Sequence, residues 1–255
     1  MSVDDLSRAL THSEKVALAA SPGVPYWREF YSQDTEIGEP TGAERLRVFR
    51  EALRSVDASG LWLDAGCGIG VMAQHFRASG LRMCGVDVSA SRLEEARRVS
   101  GLPLVPPGST PSTEEHLLQA PVEHLPHADA HFDGAYASSV LEYSASLKLA
   151  LAELRRVVRR HGFLVFNLPN AFSVFRISHA LVRRRSDYYR LVPRWAYWPW
   201  EIGRILTGSG WEIRRFSYYG TERSSMGPAL EGPLRRRLGD RPWAASYVLV
   251  VARKA

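Results

Sequence analysis

A glycine-rich segment follows the first strongly apolar run of the sequence. Asp64-Ala65-Gly66-Cys67-Gly68-Ile69-Gly70 comes directly after Leu61-Trp62-Leu63. Glycines without a Cβ let a ligand approach the backbone and the amino end of the next helix, although they would also suit a plain turn. A dinucleotide fingerprint would require glycine at position 71, where Val71 stands. The segment therefore predicts a nucleotide-type cradle and disfavours a nicotinamide or flavin site.

A second constraint comes from Asp87, which ends the next apolar run 19 residues after Gly68. A carboxylate at the end of that strand can accept hydrogen bonds from both hydroxyls of a ribose. The alternative is that Asp87 caps the following helix, but Ser89 already stands at the capping position. We therefore expect Asp87 to bind a ligand.

The elements that must position these residues alternate as they do in a doubly wound sheet. Apolar runs predict strands, and helical patterns predict helices, three of which lie between consecutive strands among the first five. The predicted strands are 61–65, 81–87, 117–122, 132–138, 163–168, 211–219 and 244–252, and the predicted helices are 45–56, 68–79, 89–99, 147–160 and 201–207. A long loop precedes the last strand, so the last two strands are expected to pair antiparallel at the sheet edge. The fold class is α/β, a Rossmann-like seven-stranded, mostly parallel sheet with helices on both faces.

Three segments together resemble the class I S-adenosylmethionine-dependent methyltransferases of the ubiquinone-biosynthesis-like type, the methyltransferase type 11 family. They are 61–70, Gly85-Val86-Asp87 and 156–162, and the resemblance extends roughly from Tyr26 to Arg253. It implies an enzyme whose cofactor is S-adenosyl-L-methionine. In that family the glycine loop holds the methionine moiety and the acid ending the second strand holds the ribose. The resemblance assigns these roles to Asp64, Gly66, Gly68 and Asp87.

The resemblance is incomplete around the adenine and the catalytic base. The family usually carries an aspartate where Pro121 stands, so the backbone of Val122 and the side chain of Glu123 become the candidates for the purine edge. The family also often has a histidine where Tyr143 stands. Further predicted cofactor contacts are Cys67, Val88 and Ser138. The catalytic candidates are Tyr143, His124 and His161, and the sequence offers no geometry for choosing among them.

Methyl transfer is an in-line displacement, so the protein must mainly align the acceptor, exclude water and, for a hydroxyl, remove a proton. No metal is needed for this. His124, His127 and His131 form a loose cluster, but no cysteine or HExxH-like spacing accompanies them. We therefore predict no metal site.

The stretch 171–200 lies where this family places its acceptor lid. Its aromatic residues could stack on a ring or sugar, and its arginines could bind a carboxylate or phosphate. An equal alternative to a lid is an ordinary pair of helices that buries these aromatic residues. The combination of Trp, Tyr and Arg would also suit a membrane surface and a lipid-linked acceptor. The residues expected to contact the acceptor are Tyr26, Tyr31, Tyr143, Asn170, Arg185, Tyr188 and Trp195.

The sequence lacks an Asn-Pro-Pro-Tyr or Asp-Pro-Pro-Tyr motif after the fourth strand, where Ala137-Ser138-Ser139-Val140 stands. This disfavours methylation of amides and exocyclic amines. The resemblance, through the frequency of oxygen acceptors in that family, implies methyl transfer to an oxygen of a small or lipid-linked acceptor, in secondary-metabolite, quinone or glycoconjugate biosynthesis. The alternatives are a nitrogen or carbon acceptor, an RNA-binding modifier, and a catalytically silent regulator that only binds the cofactor.

Length and composition predict a single methyltransferase domain over 1–255, because 255 residues with 45% apolar content can form one large core. Within it we expect a helical cap (1–58), a cofactor-binding core (59–170), the acceptor lid (171–200) and a carboxyl-terminal helix with strands (201–255). Two cysteines and no recognisable signal or membrane-spanning segment predict a cytoplasmic protein, monomeric or homodimeric. The net charge of +6 favours an anionic acceptor or peripheral membrane contact, whereas nucleic acid is an unlikely partner.

Overall fold

The computed structural model describes residues 42–106, 114–174, 195–221 and 241–255. Its strands are β1 (Leu61–Ala65), β2 (Arg82–Asp87), β3 (Leu117–Gln119), β4 (Phe132–Ala137), β5 (Val158–Pro169), β6 (Trp211–Thr221) and β7 (Ala245–Lys254). Its helices are α1 (Gly42–Arg54), α2 (Val71–Ala78), α3 (Ala90–Ser100), α4 (Leu147–Val157) and α5 (Pro199–Gly208), with a 3₁₀ turn at Leu141–Tyr143.

The seven strands form one sheet in the order β3-β2-β1-β4-β5-β7-β6. The pairs from β3 through β5 are parallel, and β7 runs antiparallel to both β5 and β6. The predicted Rossmann-like sheet with an antiparallel carboxyl-terminal edge is confirmed. The strand order reverses between β1 and β4, which is the switch point where such sheets bind ligands beyond the carboxyl ends of their strands. We call that side of the sheet the carboxyl edge.

Alternate residues of each strand enter two apolar clusters, one on each face of the sheet. Leu61 and Leu63 belong to the cluster that α4 and α5 cover, whereas Trp62 belongs to the cluster that α1, α2 and α3 cover. All five residues of β1 are buried, as expected for a central parallel strand enclosed by helices. The prediction of helices on both faces is confirmed.

Helix α1 is the described part of the predicted amino-terminal cap. Val48, Phe49, Ala52 and Leu53 recur at three- and four-residue spacing, and all four are buried against the sheet. Residues 1–41, which include Tyr26 and Tyr31, lie outside the described residues.

The predicted boundary between the fourth helix and the fifth strand was wrong by several residues. Helix α4 ends at Val157, and Val158 already pairs with Phe132 as the first residue of β5. The register then shifts before Phe163 pairs with Gly134, and His161 adopts a positive φ of 65° within this shift. Two side chains stabilise the beginning of β5. Arg159 forms a salt bridge with Asp133, and Lys254 Nζ donates a hydrogen bond to the Val158 carbonyl.

Two further features concern the outer strands of the sheet, β3 and β6, and the segment after α3. β6 carries a register shift between Ile213 and Arg215, and β3 has only three residues. In the segment after α3, Leu104 forms a parallel bridge to Leu117, the first residue of β3. Among the described residues, no helix combines the length and apolar character that a membrane span requires.

Candidate active site

The glycine loop joins β1 to α2 at the carboxyl edge. The backbone N–H groups of Gly66 and Cys67 both donate to the Val86 carbonyl at 2.8 Å, which fixes the loop to β2. Gly66, Gly68 and Gly70 have positive φ angles of 77°, 54° and 79°. A Cβ at Gly66 would lie 2.3 Å from Val140 Cγ2, whereas at Gly68 no atom lies within 4 Å of the Cβ position. Gly68 therefore borders open space, and a side chain there would occupy the cradle itself.

Asp87 links this loop to the start of α3. Its Oδ2 accepts a hydrogen bond from Gly68 N and its Oδ1 from Ser89 N, both at 2.9 Å. Burial raises the pKa of Asp87, while the charge of Arg92 and the hydrogen bonds from Ser89, Gly68 and Val88 oppose that rise. A carboxylate offers about four acceptor positions, so Asp87 can hold the loop and still accept from a ligand. Ser89 Oγ accepts from Arg92 N at 3.4 Å, as its predicted capping role requires.

Asp64 lies one residue before the end of β1 and is almost completely buried. Tyr136 on β4 is its register partner across the switch point and donates its hydroxyl to Asp64 Oδ2 at 2.8 Å. Burial raises the pKa of Asp64 to about 7, against the lowering effect of the Tyr136 hydrogen bond, and the charge of Asp87 adds to the rise. Sequence reasoning missed Tyr136, because only the register between β1 and β4 brings it to Asp64.

The thiol of Cys67 faces the core rather than the cradle. A Cβ built at Gly85 would lie 3.0 Å from Cys67 Sγ, so the side chain packs beneath the loop against β2. Burial raises the pKa of this thiol well above its usual value, with the charges of Asp64 and Asp87 adding to the rise. The prediction that Cys67 contacts a cofactor therefore holds at most for its backbone.

Two serines follow β4 at the same edge. Ser139 has a positive φ of 52°, and its N–H donates to Asn167 Oδ1 at 2.7 Å. Asn167, which is fully buried on β5, returns a hydrogen bond from Nδ2 to Ser139 Oγ at 3.0 Å. The neighbouring Ser138 Oγ is buried and has no hydrogen-bond partner within the described part of the chain. Such a hydroxyl is available to a ligand bound between β1 and β4.

The segment after β3 lies beside Asp87, because Ala120 N donates to the Asp87 carbonyl at 3.2 Å. Val122 is buried, and Glu123 Oε1 accepts from Ala145 N at 2.7 Å. Gln119 Nε2 donates to the Val88 carbonyl at 2.9 Å. The structure thus brings Val88, Val122 and Glu123 to one corner of the carboxyl edge, but Glu123 already has a backbone partner there.

The 3₁₀ turn places Tyr143 near the glycine loop, because Val140 at its start packs on Gly66. Tyr143 is half-buried, and Trp195 N donates to the Glu142 carbonyl at 2.9 Å. Tyr143 and Trp195, which were both predicted to contact the acceptor, are therefore neighbours along this turn. The side chain of Glu142 between them is fully buried.

Four residues that the sequence did not single out lie together beyond this turn. We call them the polar wall: Arg45, Glu142, Tyr219 and Tyr247. The Tyr219 and Tyr247 rings stack with centroids 5.5 Å apart, and Arg45 Cζ lies 5.9 Å from the Tyr247 centroid. The Tyr219 hydroxyl is buried and has no hydrogen-bond partner among the described residues. Burial raises the pKa of Tyr219 well above its usual value, Arg45 opposes this, and the charges of Tyr247, Glu142 and Glu44 add to it.

Comparison with known proteins shows that the chain is similar to methyltransferases. Residues 63–166 match a family described as "Methyltransferase domain". The chain is 33% identical over 152 residues to a malonyl-(acyl-carrier protein) O-methyltransferase of Erwinia pyrifoliae, covering 59% of this chain and 51% of the relative. It is also 33% identical over 169 residues to the protein of that name in Enterobacter lignolyticus, covering 66% of this chain and 59% of the relative. The chain thus spans somewhat more than half the length of these relatives.

A solved structure agrees over nearly the whole chain. Magnesium protoporphyrin IX methyltransferase from Synechocystis PCC 6803, solved with bound S-adenosylmethionine, superposes with a TM-score of 0.61. The alignment covers 97% of this chain and 99% of that chain at 15% sequence identity, which supports the fold alone. Residues 63–166 therefore match a methyltransferase domain, and the fold is that of class I S-adenosylmethionine-dependent methyltransferases. The cofactor of this domain is S-adenosyl-L-methionine, as expected from the sequence.

The cradle of the methyltransferase domain fits this cofactor on three observations. Gly68 borders open space, Ser138 offers a buried hydroxyl without a described partner, and Asp64 and Asp87 place two buried carboxyls beside the loop. A cation close to buried carboxyls favours their ionised form, so this environment suits a sulfonium and an ammonium group. Gly66 acts differently, because it makes room for Val140 rather than for a ligand.

The catalytic candidates do not share one place in the methyltransferase domain. His161 lies in the register shift near the beginning of β5, at the opposite edge of the sheet, so it cannot serve as a base at the cofactor. His124 is exposed in the loop after β3, and its proposed role stays a prediction. Tyr143 comes three residues after Val140, whose side chain lies against Gly66 of the glycine loop, and its role likewise stays a prediction.

His127 and His131, from the loose histidine cluster, lie just before β4. His116, which precedes β3, joins His127 through a contact of 3.0 Å between their Nε2 atoms. In the described part of the chain, no group of three or more His, Cys, Asp or Glu side chains could hold a metal ion.

Asn170 has a structural role that the sequence did not predict. Its Nδ2 donates to the carbonyls of Pro242 at 2.6 Å and Ala245 at 2.8 Å, and its Oδ1 accepts from Phe172 N at 3.0 Å. The amide therefore has no free donor for an acceptor molecule, and the prediction of substrate contact is corrected. Arg185 and Tyr188 lie outside the described residues.

Proposed function

We propose that this protein transfers a methyl group from S-adenosylmethionine to an oxygen of a small-molecule or lipid-linked acceptor. The observation that carries the proposal is the Asp87 carboxylate, which bridges Gly68 N and Ser89 N beside the buried Asp64 at the switch point. This arrangement gives a preformed loop with open space above Gly68 and a negative environment for a cationic donor.

In this proposal, S-adenosylmethionine supplies an electrophilic methyl group on a sulfonium. Asp87 orients the glycine loop and accepts hydrogen bonds from the ribose, and Asp64 lies where it favours the positive charge of the methionine moiety. Ser138, which follows β4 two residues after Tyr136, the register partner of Asp64, offers a hydroxyl for the same ligand. The buried setting of these groups strengthens each interaction relative to water.

An oxygen acceptor is supported by the two relatives, both named as O-methyltransferases. The polar wall agrees with an acceptor that carries a hydroxyl or carboxyl group, because Tyr219 can donate one hydrogen bond from a buried position and Arg45 adds positive charge. A carboxylate acceptor would need alignment only, whereas a hydroxyl acceptor would need a base, for which Tyr143 is our candidate.

The proposed division of labour follows the chain. We assign binding of the methyl donor to residues 59–170 and contact with the acceptor to 171–200. We assign the role of a cap to 1–58, of which α1 is described, whereas 201–255 contribute β6 and β7 to the sheet and Tyr219 and Tyr247 to the polar wall.

The donor half of the proposal is tested by calorimetric titration of the purified protein with S-adenosylmethionine, S-adenosylhomocysteine and NAD. We expect binding of the first two and none of NAD, because Val71 replaces the glycine that a dinucleotide site requires. Binding of NAD alone would contradict the proposal.

The acceptor half is tested with S-adenosylmethionine that carries a deuterated methyl group. Candidate acceptors are a malonyl thioester on a carrier protein, free dicarboxylic acids, and lipid-linked phenols and sugars. Mass spectrometry with fragmentation then locates the label on oxygen, nitrogen or carbon. Label on nitrogen or carbon would overturn the oxygen assignment. Donor binding without transfer to any acceptor would favour a silent cofactor-binding regulator.

A further inference from the structure

Exposed aromatic side chains concentrate at one corner of the carboxyl edge. Seven large apolar residues of the described chain are exposed, and six of them lie in this corner. We define the aromatic ledge as these six: Phe172, Val174, Trp195, Trp198, Trp200 and Trp243. Their exposed fractions run from 37% for Trp243 to 60% for Trp200. Isolated exposed apolar residues are ordinary on proteins, but a contiguous group of this kind marks an interaction surface.

Contacts within the ledge make it one surface. Trp198 and Trp200 stack with ring centroids 4.8 Å apart and an interplanar angle of 20°. Phe172 lies 6.2 Å from the Trp198 centroid and 6.5 Å from that of Trp200. Val174 N donates to the Trp243 carbonyl at 2.9 Å, which joins the segment after β5 to the segment before β7. The ledge therefore begins where β5 ends, on the same side of the sheet as the glycine loop.

Two exposed arginines and one glutamate lie close in the chain to described residues of the ledge. Arg241 is exposed two residues before Trp243, and Arg204 is exposed on α5 one helical turn after Trp200, on the same helical face. Glu201 is the nearby acidic residue, and its Oε2 accepts from Trp198 N at the start of α5. In the sequence, 175–194 holds six arginines, at 176, 183, 184, 185, 190 and 194, against the single acid Asp187.

We propose that the aromatic ledge seats this protein on an anionic lipid surface. Tryptophan combines an apolar ring with an N–H donor and is enriched where acyl chains meet headgroups, and flanking arginines suit anionic headgroups. Protein interfaces are also enriched in tryptophan and arginine, so an acidic protein partner is the competing occupant that the experiments below must exclude. Docking through the ledge would bring the carboxyl edge to the membrane surface, where a lipid-linked acceptor is found.

The first test is sedimentation with sucrose-loaded vesicles of phosphatidylcholine alone or mixed with phosphatidylglycerol. The full chain should bind the mixed vesicles more strongly, with a blue shift of tryptophan emission, and added salt should weaken this binding. Trp198→Ala combined with Trp200→Ala should lower the partition coefficient by at least about tenfold, because indole burial is lost. Leu149→Ala, at an exposed leucine outside the ledge, should bind as the unaltered protein does.

A second variant and two further measurements keep the proposal falsifiable. Trp243→Ala, on the β7 side, should weaken vesicle binding independently, and all variants should retain S-adenosylmethionine affinity in calorimetry. Equal vesicle binding by the unaltered protein and by the variant with both Trp198→Ala and Trp200→Ala would overturn the proposal. The proposal would also be overturned if the protein did not bind vesicles but bound an acyl carrier protein, or dimerised in light scattering, and lost that binding or dimer when the ledge tryptophans were replaced. Donor binding without vesicle binding refutes this inference alone, whereas vesicle binding without methyl transfer refutes only the proposed function.

Discussion

Asp87 accepts hydrogen bonds from two backbone N–H groups at once, so even a conservative substitution should weaken cofactor binding. Asparagine at this position would keep one acceptor oxygen but turn an amide NH₂ toward the N–H of Gly68 or Ser89. We expect Asp87→Asn to weaken S-adenosylmethionine binding about 10- to 100-fold, as for the loss of a hydrogen bond to a charged group. Calorimetry measures this directly. Asp129→Asn, an exposed carboxylate that pairs with Arg156, should keep the original affinity, and equal affinities in the two variants would contradict the role of Asp87.

Asp64 should lose a proton when the cofactor binds. Burial raises its pKa to about 7, so a substantial fraction is protonated near neutral pH in the unliganded protein. A cationic ligand favours the ionised form and lowers that pKa. We expect the binding enthalpy at about pH 6.5 to vary with the ionisation enthalpy of the buffer, with the slope reporting proton release. The slope should diminish at about pH 8.5, where Asp64 is already ionised.

The control for this proton is Asp64→Asn, which has no carboxyl to titrate. Its binding enthalpy should lose most of the buffer dependence at the lower pH. A slope that is the same in both proteins would show that the proton comes from another group.

At the scale of elements, the glycine loop contains two glycines that should respond differently to alanine. Gly66→Ala would bring a Cβ to 2.3 Å from Val140, so it should unfold or strongly destabilise the protein. Gly68→Ala meets no atom within 4 Å, so only its positive φ should cost stability, about 1 kcal/mol. Its Cβ would however enter the cradle, and S-adenosylmethionine affinity should fall by at least about tenfold.

Gly80→Ala is a matched control for that pair. Gly80 also has a positive φ and open space at its Cβ position, but it lies in the turn between α2 and β2. It should lower the melting temperature about as much as Gly68→Ala and leave cofactor binding unchanged. Loss of binding in both variants would indicate a general effect of loop strain.

The sheet could be predicted from the sequence because its signals are local. β1 and β2 are short apolar runs, the first followed by glycine and the second, after Val88, by the capping residue Ser89, and the glycine loop and Asp87 are adjacent to these runs. The end of α4 could not be predicted, because Val158 continues the helical apolar spacing and only pairing with Phe132 makes it a strand residue. Asn170 was assigned to the acceptor because the sequence does not show its three backbone partners.

The polar wall could not be predicted for a different reason. Arg45, Glu142, Tyr219 and Tyr247 come from α1, the 3₁₀ turn, β6 and β7, and more than 200 positions separate the first from the last. Each residue alone has an ordinary explanation at its place in the sequence. Only the antiparallel pairing of Tyr219 with Tyr247, next to Pro169 of β5, brings the group together.

For the whole molecule, His127 and Asp64 have opposite effects on the free energy of unfolding as pH changes. Burial lowers the pKa of His127 to about 3, with His116, His131 and Arg156 adding to the effect. The unfolded chain binds protons at such histidines below about pH 6.5, so this stability is lost as pH falls. Burial raises the pKa of Asp64, so its contribution is instead lost as pH rises from about 4 toward 7.

This opposition predicts the result of removing one histidine. His127→Phe keeps an aromatic ring against Phe132 but cannot titrate. Between about pH 7 and 5.5 the unaltered protein should lose about 1.3 kcal/mol more unfolding free energy than the variant. Urea unfolding across that range measures the difference, and His161→Gln, at an exposed residue, should follow the unaltered protein. Parallel pH profiles for His127→Phe and the unaltered protein would show that the cluster is not the source of acid sensitivity.

The two outer strands of the sheet have a consequence for how the chain behaves at high concentration. β3 is too short to template a further strand, and β6 is bent by its register shift and carries Glu212, Arg214 and Arg215 near that point. Charges and bulges on an outer strand discourage the backbone of another molecule from extending the ladder. Neither outer strand of the described sheet is therefore suited to fibril growth, so crowding should bring copies together through side chains rather than through backbone pairing.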